Sequence, residues 1–183
     1  MASLVLNGST SGSITISSPA VSGSNTLSLP ANTGTVLTTA STFAGTGPAF
    51  RAYQNGNINV TAATFTKVQI NTEDFDTASC FDTSIYRFTP NVAGYYQVNA
   101  TVGFATTSTI TRAIVLIYKN GSDNTTGSDI NASVNRITAS ALIYMNGTTD
   151  YLELYGWVNG AGTLSINGNT SICTFQAFLA RSA

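Results

Sequence analysis

The sequence predicts an all-β fold, a sandwich or barrel of about ten antiparallel strands, on three observations. Side chains alternate with a period of two: Tyr96, Val98, Ala100 and Val102 share one strand face, and Tyr95, Gln97, Asn99 and Thr101 the other. Dipeptides that tolerate positive φ recur between such runs, at Asn55-Gly56, Asn120-Gly121, Asn146-Gly147 and Asn167-Gly168. Finally, no segment keeps a helical period over three turns, so sheet must pack on sheet to bury a core.

Taken in order, residues 1–40 are mostly Ser, Thr, Asn and Gly around short β-prone pieces: Ser13–Ile16, Thr26–Leu29 and Gly34–Leu37. Each is too short and polar to bury a core alone, and ordering costs roughly 1–2 kcal/mol of backbone entropy per residue. The segment is expected either to stay a disordered tail or to dock through Ile14, Ile16, Leu27 and Leu29 on another chain. Residues 41–48 read as a linker, and the main domain spans 49–183. Its expected strands are Phe50–Gln54, Phe65–Ile70, Ile85–Phe88, Tyr95–Phe104, Arg112–Tyr118, Ser133–Met145, Tyr151–Val158, Thr163–Ile166 and Ile172–Ala180. Between two of them Pro90 fixes its own φ, and Gly94 is expected to supply a positive one.

Composition excludes several function classes. Only 8% of the 183 residues are charged and the net charge is −1, which gives no electrostatic basis for nucleic acid or an anionic membrane. The absence of histidine removes the usual general base and the commonest metal ligand, so triad hydrolysis is disfavoured and no cofactor is expected. No basic-then-apolar leader and no apolar run of about 20 residues is present, so synthesis in a cytoplasm without membrane insertion is expected. Cys80 and Cys173 are either one disulfide or two separate buried thiols.

Several motifs then occur in a telling order: Ala49-Phe50-Arg51-Ala52; Phe65-Thr66-Lys67-Val68 with Phe75-Asp76-Thr77; Phe88-Thr89-Pro90 leading to Gly94-Tyr95-Tyr96; Lys119-Asn120-Gly121; Tyr144–Gly147 turning to Asp150–Leu154; and Phe175–Leu179. This order resembles the globular head of the complement component one q family, a ten-strand jelly roll of the tumour necrosis factor-like class. Ala177 stands where that family usually has Gly, and its Gly-Asp turn is lengthened here to Gly147-Thr-Thr-Asp150. The resemblance implies a homotrimer, with Phe88, Tyr96, Val98, Phe175 and Phe178 as anchors of the core or of the subunit contact. The 8 Tyr, 9 Phe and 1 Trp fit the aromatic surface such an assembly needs.

Asn7–Ile16, Pro19-Ala-Val, Gly23–Pro30 and Thr33–Val36 are similar to a short module of tailed-bacteriophage structural proteins. Together the two resemblances imply a virion protein, assembled in the bacterial host cytoplasm and displayed on the particle exterior. It is expected to be non-enzymatic, a fibre or appendage that docks other virion proteins through its N-terminal segment. Polar turn-rich loops holding Asn55, Asn57, Asn124, Asp129 and Asn159 are the expected contacts to a host glycan. A capsid decoration or head fibre with a purely architectural role is the alternative.

Other constellations carry less. Glu73, Asp74, Asp76 and Asp82 have oxygen ligands suited to calcium, but their spacing fits no known calcium loop and no metal site is assigned. Asp123, Asp129, Asp150 and Glu153 are too few and scattered to predict a glycosidase pair. Trp157 with Tyr151 and Tyr155 reads either as a sugar-stacking platform or as core.

Overall fold

The computed structural model describes residues 3–7, 9–17, 23–24, 47–104 and 109–183. Two compact units divide the chain, Met1–Thr38 and Thr39–Ala183. Among the described residues no helix is long and apolar enough to cross a membrane.

In the first unit β1 (Ser3–Asn7) pairs antiparallel with β2 (Ser13–Ser17), placing Leu4 opposite Ile16 and Leu6 opposite Ile14. Alternation puts these four side chains on one face and Val5, Asn7, Ser13, Thr15 and Ser17 on the other. All four are more than half exposed. Leu27, Leu29, the pieces at Thr26–Leu29 and Gly34–Leu37, and residues 41–46 of the linker lie outside the described residues.

The second unit contains β3 (Ala49–Tyr53), β4 (Ile58–Asn59), β5 (Thr66–Lys67), β6 (Thr72–Asp76), β7 (Phe81–Asp82), β8 (Arg87–Phe88), β9 (Gly94–Gly103), β10 (Thr109–Lys119), β11 (Ser122–Ile130), β12 (Arg136–Met145), β13 (Leu152–Ala161), β14 (Ser165–Ile166) and β15 (Thr174–Ser182). One sheet has five strands in the order β12-β9-β15-β3-β6. The other has six, β11-β10-β13-β8-β7 with β5 on β13, and β14 with β4 forms a small ribbon. The all-β, antiparallel expectation holds.

The core fills the space between the sheets. Phe50 stacks on Phe81 and Phe88 with centroids 4.7 and 4.5 Å apart, and Phe175 meets it edge-on at 5.3 Å. Tyr96 joins through Phe88, and its phenol donates to the Val92 carbonyl at 2.8 Å, so its polar end is satisfied. Burying side chains of this size stabilises the fold by about 1.5–3 kcal/mol each. Both cysteines are buried and free. Burial pushes the Cys173 thiol up to about 12, which leaves it unreactive near neutral pH.

The structure corrects several expectations. Ser122–Asp129, read as a loop, lies within strand β11, paired with β10 across an Asn120-Gly121 turn in which both residues have positive φ, 54° and 80°. Of the acidic residues Glu73, Asp74, Asp76 and Asp82, read as one loop, the first three lie on strand β6 at the sheet edge and Asp82 on β7. Of the expected Phe65–Ile70 strand only Thr66–Lys67 is strand, and Ile85–Phe88 shortens to Arg87–Phe88, where Tyr86 has a positive φ of 56°. Gly94 does not use the left-handed region. A Cβ there would lie 2.5 Å from the Arg181 carbonyl, so its need for glycine is the close approach of β9 to β15.

Candidate functional site

Both sheets turn a distinctive outer face away from the core. On β12 and β9 alternation sends Leu142, Tyr144 and Tyr95 outward, and their neighbours in the five-stranded sheet add Phe178 and Phe75. Leu142, Gln97, Phe178 and Ala49 form one row across four strands. Tyr95 and Tyr144 are a register pair with ring centroids 5.5 Å apart. Each of these aromatic and aliphatic side chains is 43–61% exposed, a clustering unlike the scattered apolar residues of ordinary surfaces. Beside them runs an uncharged ladder in which Gln97 donates to Ser140 at 3.0 Å and Ser140 donates to Asn99 at 2.8 Å.

The six-stranded sheet is different in kind. Glu153, Tyr155 and Trp157 alternate outward along β13, between Tyr118 of β10 and Lys67 of β5. Glu153 is only 3% exposed, and its Oε1 accepts from Lys67 Nζ at 2.6 Å, Arg87 Nε at 3.0 Å and Arg87 Nη2 at 2.9 Å. Arg87 also lies 3.7 Å over the Tyr151 ring, and Tyr118 stacks on Tyr155 at 4.0 Å. Farther along, Arg112 grips Asp129 with a two-pronged fork at 2.8 and 2.7 Å and lies 5.4 Å over Trp157. That fork holds the Asp129 carboxyl below the usual carboxylate range.

No family model and no curated protein matches the chain. Solved structures do. The globular domain of the zebrafish complement 1qA protein superposes with a TM-score of 0.56 at 16% identity, covering 75% of this chain and 99% of that one. Eiger TNF from S. frugiperda gives 0.56 at 11% identity, covering 75% and 95%. PRD1 vertex protein P5 gives 0.58 at 20% identity over 74% of each chain. The fold is a TNF-like jelly roll. In this jelly roll the five anchors predicted from sequence divide: Phe88, Tyr96, Val98 and Phe175 are wholly buried, whereas Phe178 is 50% exposed and lies outside the core. Phe178 is three residues beyond Phe175, so strand alternation points the two to opposite sides.

The five expected ligand-loop residues are not one site. Asn124 and Asp129 lie on β11, a strand rather than a loop, and Asn159 lies on β13 in register with Arg112. Asn55 and Asn57 are in the turn after β3, where Asn55 exchanges hydrogen bonds with Asn71, and Asn57 accepts from the Gly168 amide. Strand direction gathers Asn55, Asn57, Asp129 and Asn159 toward one end of the jelly roll and sends Asn124 to the other. Sequence reasoning missed Lys67, Arg87 and Tyr118, whose only signal was their place in short strands around Tyr151–Trp157. It also missed Leu4 and Leu6, which the Gly8–Gly12 turn signal before Ile14 would have paired with β2.

The acidic residues are committed locally. Asp74 pairs with Arg51, Asp76 accepts the Ala78 and Phe81 amides, and Asp82 accepts from Ser84, so the jelly roll does not gather them around a cation. Asp150 closes the Asn146–Asp150 turn. Burial raises its pKa, but Lys119 at 2.8 Å, the Asn120 side chain at 2.8 Å and the Asn146 amide at 3.0 Å lower it further, for a net decrease. A carboxylate with a depressed folded pKa stabilises the fold above its unfolded value, about 3.9, and the contribution disappears as pH falls through the folded value. Asp150→Asn is therefore expected to cost about 2 kcal/mol at pH 7. The difference from the parent should shrink in acid, as urea melts at pH 7 and below pH 3 would show.

Proposed function

We propose that this chain is a non-enzymatic virion structural protein, a homotrimer assembled through the outer face of its five-stranded sheet. The observation that carries the reading is the cluster of Tyr95, Leu142, Tyr144, Phe75 and Phe178 on a single sheet face, half-exposed in one protomer. Taking the exposed half of each such side chain out of water contributes roughly 1 kcal/mol. The adjoining Gln97-Ser140-Asn99 ladder is uncharged and already internally satisfied, so dehydrating it costs less than dehydrating ions would. Likeness to the PRD1 vertex protein supports the virion assignment.

The N-terminal segment docks other virion proteins. Leu4, Leu6, Ile14 and Ile16 give the β1-β2 ribbon an apolar face, and no charged residue precedes Arg51 to guard its edges. The jelly roll is displayed outward, where its surface meets a host glycan. A capsid seat with a purely architectural role is the second reading, favoured by the word vertex in the name of the P5 protein. Light scattering on the full chain at micromolar concentration is expected to give three times 19.0 kDa. A monomer would overturn the trimer. Adsorption of that trimer to susceptible cells separates host attachment from architecture.

A further inference from the structure

We propose that the β1-β2 ribbons of three copies pack together through their apolar faces, with Leu4, Leu6, Ile14 and Ile16 of each chain turned toward a shared axis. The occupant of that face is a second and a third copy of this chain. The proposal rests on the trimer reading above, and packing by faces leaves the ribbon's edges to the virion contact.

Size is the first argument. A two-stranded sheet is at best marginally stable alone in water, and an apolar face needs further strands to cover it. Among the described residues this sheet holds β1 and β2, and the four side chains of its apolar face are 51–68% exposed. They leave on the order of 400 Å² of apolar surface uncovered on each ribbon, comparable to the largest patch of an ordinary monomer. Two such faces joined bury about 800 Å², the scale of a crystal-packing contact, whereas three bury about 1,200 Å², where specific interfaces begin. Three copies suffice where two do not.

The face is also suited to its own kind. Leu4 lies opposite Ile16 and Leu6 opposite Ile14, a block of branched aliphatic side chains with no polar atom to satisfy. No charged side chain precedes Arg51, so copies meet without like-charge repulsion, and the ribbon offers no charge by which a foreign partner is chosen. Near the turn, a groove of about 360 Å³ lined by Leu6, Ile14 and Ser11–Ser13 gives a neighbour's aliphatic side chain a seat. Selection then comes from connectivity. Every ribbon is joined to a head by its own chain, so a trimer of heads makes the ribbon contact an intramolecular one.

The test uses the full chain with one added cysteine, either Ile16→Cys on the apolar face or Val5→Cys on the opposite one. Cys80 and Cys173 are buried, so the added thiol is the one a reagent reaches. A short bismaleimide at micromolar chain concentration is expected to link Ile16→Cys chains in pairs roughly tenfold faster than Val5→Cys chains. Adding Leu6→Asp, which puts an unpaired carboxylate on the face, should slow the Ile16→Cys linking about as much while light scattering still reads a trimer. Equal rates at the two positions, a rate that Leu6→Asp leaves unchanged, or no linking in a chain that scatters as a trimer would overturn the proposal. The last is the result if the face covers the chain's own head or a foreign protein, and it leaves the trimer standing. A monomer in light scattering would instead overturn the proposal and the trimer together.

Discussion

Replacing Leu142 with glutamate is expected to lower the solution mass of the full chain threefold, to the 19.0 kDa of one protomer. Leu142 is 61% exposed and its neighbours Ala141 and Ile143 supply the core side of β12, so the isolated protomer should tolerate the change. In the proposed trimer the same position is dehydrated in every copy. Taking an unpaired carboxylate out of water costs several kcal/mol, and each site also forgoes roughly 1 kcal/mol of apolar burial. Summed over three symmetric sites, the penalty exceeds what most interfaces can spare. Light scattering with circular dichroism checks both halves of the expectation. A folded L142E chain that remains trimeric would remove the five-stranded face as the contact.

The second large effect lies inside. Phe50→Ala is expected to destabilise the protomer by about 3–5 kcal/mol, the range for emptying a packed aromatic site. Phe50 is 1% exposed, stacks on Phe81 and Phe88 and meets Phe175 edge-on, residues that belong to both sheets, so the resulting void cannot close without separating those contacts. Melting should fall by roughly 10 °C or more. Phe178→Ala is the control, expected to change protomer stability by less than about 1 kcal/mol. Both belong in the monomeric L142E background, because association would otherwise add its own stabilisation. A loss near 1 kcal/mol for Phe50→Ala would mean that the stack is not the centre of the core.

How much of this was legible in the sequence depended on whether a strand buries one face. β9 was read correctly because Tyr96, Val98, Ala100 and Val102 go inward and polar residues come out. β11, with the sequence SDNTTGSDI, has no apolar alternation to read. It is a strand because β10 offers it hydrogen bonds across a two-residue turn, and pairing with a neighbour outweighs weak intrinsic propensity. The same limit governs the surfaces. Tyr151, Tyr155 and Trp157 were visible as a group because they are spaced by two or four along one strand. The sharing of Glu153 was not, since Lys67 and Arg87 reach it from 86 and 66 residues away in sequence. Which alternative Phe178 takes, core or subunit contact, was legible too, since its odd spacing from the buried Phe175 turns it to the outer face.

The edges of the two units differ in a way that bears on growth. In the head the outer strand β11 lies against β12, with Ser128 and Thr138 exchanging hydrogen bonds and no room for a Cβ on Gly127. At the opposite side Asp76 of β6 accepts the Phe81 amide of β7, tying those rims together. The rims of the two large sheets are thus closed to strand addition. Among the described residues the β1-β2 ribbon, a sheet of two strands, has a valence of two. Units of valence two make rings or open-ended filaments, and only a count imposed from elsewhere decides which. In the proposed trimer the head supplies that count, so a chain shortened to its first forty residues should lose its stopping rule before it loses its stickiness.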